Sequence, residues 1–92
     1  MISTTPHIEI RPECLQPAAN WASPTGAEIQ EVVRRTGMSG RAATRFLGLA
    51  DGDGRQIRRW VSGDSPIPYS AWALLCDAAG LGQIWRVDSD VV

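Results

Sequence analysis

Lysine is absent from this chain, histidine occurs once and cysteine twice. His7, Cys14 and Cys76 cannot supply a four-ligand metal site from the His and Cys of one chain. Neither cysteine belongs to a C-x-x-C pair, so two reduced thiols are expected, with Cys76 buried on a helix. Asp51-Gly52-Asp53-Gly54 hints at a calcium loop, but the twelfth position from Asp51 is Ser62, where a bidentate acid is required. No apolar run reaches membrane-spanning length. Met1 to His7 offers neither a positive leader nor a following hydrophobic stretch, which speaks against a secretory signal and for a cytoplasmic location. Catalysis would need a nucleophile with a base, yet the one histidine lies in a proline-flanked segment, and no G-x-S-x-G or Walker pattern occurs. No enzyme is expected, and no catalytic residue, metal or cofactor is assigned.

What is present is a small packed protein. The chain has 92 residues, 43% of them hydrophobic, with four tryptophans and a formal net charge of −1. That suffices for one domain on one core. The charge is unevenly spread. Seven of the nine arginines fall between Arg34 and Arg59, where the only acids are Asp51 and Asp53. Source-genome composition could explain the missing lysine, but it does not explain the clustering.

Pro6, Pro12, Pro17 and Pro24 exclude a long helix before residue 25, leaving an N-terminal arm, 1–24. Within it His7-Ile8-Glu9-Ile10-Arg11 alternates as a short strand would. A first helix is predicted from about Gly26 to Thr36. Thr25 and Glu28 form a T-x-x-E capping box, Ile29, Val32, Val33 and Thr36 mark the inward stripe, and Gly37 stops it. Ser39 caps a second helix running to about Leu47, with Ala43, Phe46 and Leu47 inward and Arg41 and Arg45 outward. After the turn Ala50–Gly54, Asp53 and Gln56 suggest a further capping box. It opens a third helix from about Gly54 to Ser62, with Ile57, Trp60 and Val61 inward. Stepping about 100° per residue puts Arg55, Arg59 and Ser62 on its far face, flanked by Arg58 and Gln56. A fourth helix begins near Pro68 and reaches Ala79. Its run Ala71–Cys76 is apolar almost all round, so it is either central or covered by a second subunit. The tail, 83–92, reads equally as a strand pairing with Ile8–Ile10 or as irregular chain docking Trp85.

Helix, glycine-bearing turn, then a helix with an arginine-rich outer face is the helix-turn-helix pattern. Arginines on the second helix of such a pair suit guanine edges in a major groove, while phosphate contacts set affinity with little sequence information. Arg55, Gln56, Arg59 and Ser62 are therefore the candidates for base contacts. Ser39, Arg41, Arg45 and Arg58 are the candidates for phosphate contacts, with Arg34 and Arg35 also placed for phosphate.

Leu47-Gly48-Leu49, Ile57-Arg58-Arg59-Trp60-Val61-Ser62-Gly63, and Pro66-Ile67-Pro68-Tyr69 leading into Trp72-Ala73-Leu74-Leu75 resemble the Xre/Cro-like helix-turn-helix regulators of phages, plasmids and chromosomes. They look most like the small members found on mobile elements. The resemblance covers about residues 25–82, the expected DNA-binding domain. It departs from the family in about three extra residues around Ala50-Asp51-Gly52, in Gly40 where a phosphate-touching glutamine is common, and in Thr44 for a small alanine. It implies an all-α fold of four to five short helices of the lambda-repressor-like type, to which the terminal extensions could add a short strand.

The expected function is sequence-specific binding of double-stranded DNA by a transcriptional regulator, most simply a repressor. One short helix in one groove gives limited affinity, so a homodimer on two half-sites is expected, with Trp72, Leu75 and Trp85 as its interface. The alternative is an antitoxin-type protein whose N-terminal arm folds onto a toxin partner while the domain autoregulates its operon. No membrane partner is expected.

Overall fold

The capping box at Thr25 sets the first boundary of the structure. The Thr25 hydroxyl accepts from the Glu28 N–H at 3.2 Å, and the Glu28 carboxylate accepts from the Thr25 N–H at 2.7 Å. The computed structural model describes residues 9–50 and 52–86. From that cap, α1 runs Gly26–Thr36 and ends where Gly37 turns left-handed at φ 75. α2, Gly40–Leu47, is capped by Ser39, whose hydroxyl accepts from the Ala42 N–H at 3.0 Å. It ends at Gly48, and the Leu49 N–H then donates to the Thr44 carbonyl, returning Leu49 toward the core.

α3, Arg55–Ser62, starts one residue later than expected. Gly54, not Asp53, is its cap residue, in a left-handed conformation at φ 90, and the Asp53 carboxylate accepts from the Arg55 N–H at 3.1 Å. Glycine is favoured at 54 on two counts. A side chain there would be strained, and its Cβ would lie 3.3 Å from the carbonyl carbon of Gly40, where α2 begins. α4, Tyr69–Ala78, likewise starts just after Pro68.

α1 packs on both α3 and α4, and α2 packs on α3. The all-round apolar α4 is central. Trp72, Leu75 and Cys76 are completely buried, with Val32, Ile29, Ala43, Ile57, Trp60, Ile67 and Ile84 around them. The valine, leucine and isoleucine side chains among them each add roughly 1.5–3 kcal/mol of burial, which lets so short a chain close one core. Burial also pushes the Cys76 thiol up to about 12, so it stays protonated and inert. At the α1–α3 contact, a methyl on Gly26 would overlap the Val61 carbonyl oxygen. Only glycine lets the start of α1 rest against the end of α3.

The described part of the N-terminal arm is not a free extension. The prolines exclude a helix of length, but Pro12 sits where a short 3-10 turn can start, at Pro12–Leu15, and a second turn follows at Ala18–Asn20. These turns lay Cys14 in the core. The Trp72 indole N–H donates to the Cys14 carbonyl at 2.7 Å, and the Tyr69 hydroxyl donates to the Gln16 carbonyl at 2.9 Å. Trp21 meets the Tyr69 ring edge to face at 5.1 Å. No strand forms among the described residues. Glu9, Ile10 and Arg11 lie outside any strand, while His7 and Ile8 of the expected strand, Asp51 of the turn and residues 87–92 of the tail lie outside the described residues. The tail up to Arg86 docks Ile84 in the core and leaves Trp85 39% exposed. No described helix is long and apolar enough to cross a membrane.

Candidate nucleic-acid interface

α3 divides sharply. Ile57 and Trp60 are buried, Val61 is half-buried, and Arg55, Arg58, Arg59 and Ser62 are exposed, with Gln56 between the two faces. The inward trio grips α1 and α2, and the outward arginines are held at a fixed angle by that grip. α2 divides differently from the expectation. Thr44, not Phe46, joins Ala43 on the buried side, and Phe46 is 46% exposed. The Thr44 hydroxyl donates to the Gly40 carbonyl at 2.8 Å, so a polar side chain enters the core with its hydrogen bond made. The buried arc of α2 centres between Ala43 and Thr44. That leaves Phe46 on the outer side with Arg41 and Arg45, both exposed.

Arg41, Arg45, Arg55 and Arg59 form no ion pair among the described residues. Four guanidinium groups on two joined helices are thus exposed with no carboxylate paired to them among the described residues. Arg58 differs in detail. Its Nη1 donates to the Asp53 carbonyl at 3.2 Å, which draws the side chain back over the start of α3. Ser62 is also partly engaged, donating to the Arg59 carbonyl at 3.1 Å and accepting from the Asp64 N–H at 3.4 Å. Ser39, the α2 cap, is exposed with its hydroxyl hydrogen still available.

Two arginines expected at phosphate are committed elsewhere. Arg34 and Arg35 both bond Glu31, each with a shortest contact of 2.6 Å. The hydrogen bonds from Arg34 and then Arg35 hold the Glu31 carboxyl down to about 2. The i, i+3 and i, i+4 spacing from Glu31 was present in the sequence and is the signal that marks them as structural. The same chemistry recurs at Arg11, which sequence reading passed over. Its Nε and Nη2 donate to the two Glu28 oxygens, each at 2.9 Å, and its backbone N–H adds a third bond at 3.0 Å. Burial opposes ionisation of Glu28, but these bonds and the one from Thr25 outweigh it and leave its pKa at about 2.

Trp72 and Leu75, the expected dimer contacts, have no exposed surface and cannot touch a partner. An apolar helix signals coverage without saying by what, and here the protomer's own core supplies the cover. Of the three named residues only Trp85 reaches the surface, where it is joined by Leu74 on the outer side of α4, 41% exposed.

No family model matches the chain, and no solved structure matches it. Two curated proteins do, both named as the transcriptional repressor protein KorC of Escherichia coli. One is 57% identical over 79 residues, covering 86% of this chain and 93% of the relative. The other is 56% identical over 82 residues, covering 89% and 96%. A likeness of that degree over nearly the whole length of both partners shows the family: the chain belongs to the KorC family of transcriptional repressors.

Proposed function

We propose that the protein represses transcription by binding double-stranded DNA at a specific sequence, with α2 and α3 as a helix-turn-helix of the Xre/Cro-like kind. The observation that carries this reading is the set of open arginines. Arg41, Arg45, Arg55 and Arg59 crowd the outer faces of two helices joined by a short connection, with no carboxylate paired to any of them among the described residues. α3 enters the major groove. Arg55 and Arg59 donate to base edges there, assisted by Gln56 and, at the far end, Ser62. Arg41 and Arg45, with the Ser39 hydroxyl and Arg58, hold phosphates and set the register. Arg58 reaches a phosphate by releasing the Asp53 carbonyl.

An eight-residue helix reads few base pairs, so the protein acts as a homodimer on two half-sites about one helical turn apart. The site of action is the cytoplasm. The antitoxin reading is not adopted, because it needs a free arm, and residues 9–24 are already folded on their own core. Selection of bound sequences from a random duplex pool tests the proposal. A single motif with two-fold symmetry is expected, and recovery of no motif would overturn sequence-specific binding.

A further inference from the structure

We propose that the outer side of α4, together with Trp85, is the surface on which a second copy of this chain docks; the inference rests on the two-half-site reading above. α4 turns Ala71, Trp72, Ala73, Leu75 and Cys76 inward and leaves Ser70, Leu74 and Ala78 in one exposed row at i, i+4 and i+8. Leu74 and Trp85 stand around a recess of 290 Å³ floored by Ala73 and closed by Tyr69 and Ser70. The face therefore offers an apolar projection and a hollow side by side, which is what a self-complementary contact needs. In an antiparallel two-fold pairing of α4 helices, the small Ser70 and Ala78 lie opposite each other and let the backbones approach. Leu74 then lies near the axis.

Charge at the rim selects a second copy over an unrelated partner. Asp77 lies on α4 one turn after Leu74 and Arg86 directly follows Trp85; both are exposed, and neither forms an ion pair among the described residues. A two-fold contact pairs Asp77 of each copy with Arg86 of the other, twice in one interface. None of the arginines assigned to DNA lines the recess, so docking there leaves them open. A ten-residue helix is about 15 Å long, so the contact is at the small end of specific interfaces and dimerisation depends on concentration.

Sedimentation equilibrium of the intact protein, up to its highest soluble concentration, reads this directly. The wild type is expected to dimerise. Leu74→Arg raises the dissociation constant about thirtyfold or more. Asp77→Arg also weakens the dimer, and adding Arg86→Asp to it restores association. Leu74 is exposed, so the variant should keep its helical circular dichroism; should it not, Ser70→Arg on the same row replaces it. A wild type that stays monomeric, or arginine variants that dimerise like it, would overturn the interface. Failure of the double swap to restore association would overturn the Asp77–Arg86 pairing. A dimeric wild type that selects no DNA sequence sinks the DNA reading and leaves the interface standing. Sequence selection by a strictly monomeric protein does the reverse.

Discussion

Arginine serves opposite purposes around α1 and on the α2–α3 pair. At its start Arg11 closes on Glu28, and near its end Arg34 and Arg35 close on Glu31. On α2 and α3 the same side chain stands open at Arg41, Arg45, Arg55 and Arg59. The guanidinium is identical in both regions; what differs is whether a carboxylate among the described residues bonds it. Where it does, the charge is spent on holding chain to chain, and where it does not, the charge is available to a polyanion. Counting arginines along the sequence locates the basic region but does not separate the two uses.

The comparison can be broken most forcefully at the grip beneath the open arginines. Trp60→Ala removes a buried side chain that holds α3 to the body and should cost about 3–5 kcal/mol of stability. Near-native melting would show that the open face has some other support. Arg11→Met leaves Glu28 a buried charge without its partner. The melting midpoint should fall, by less than for Trp60→Ala because Arg11 is itself 46% exposed, and an unchanged midpoint would show that the pair holds nothing.

The Glu28 bonds also set a pH signature. Its carboxyl titrates near 2 when folded against 4.5 ordinarily, so below 4.5 the unfolded chain binds more protons than the folded one. The stability it supplies is complete above that value and drains away as pH falls toward 2. Melting midpoints of wild type and Glu28→Gln should therefore converge on acidification, and a constant gap would show that the charge of Glu28 is irrelevant.

On the open face the expectation inverts. Arg59→Ala should leave stability within about 0.5 kcal/mol while costing about 1–3 kcal/mol of specific DNA binding and relaxing sequence preference. Arg45→Ala should be the mildest, weakening all duplexes alike and reducing the salt slope by about one. Identical effects of the two variants on specific and random duplex would erase the division between base and phosphate contacts.

What could be read from the sequence was short-range. The Thr25–Glu28 box, the Ser39 cap and the inward trio Ile57, Trp60 and Val61 each depend on neighbours within a turn or two, and the structure has them all. Hydropathy misjudged α2, because Thr44 satisfies its hydroxyl on Gly40 one turn back and so buries as readily as an apolar side chain. The arm escaped entirely. Prolines forbid a helix, but nothing local shows that Cys14 and Gln16 will meet α4, or that Arg11 will find Glu28. Trp72 and Leu75 were legible as buried, though not by which surface. Which arginines touch bases is a matter of the duplex as much as of the chain.

The indole of Trp72 bonds a carbonyl 58 positions upstream. That single link ties the order of synthesis to the onset of function. A nascent chain can form the α2–α3 pair well before α4 leaves the ribosome, yet the pair then has no seat, because the residues that close the interior have not been made. Prematurely terminated chains would carry every open guanidinium and still present none of them at a fixed angle. Competence to silence a promoter arrives only once α4 has been made.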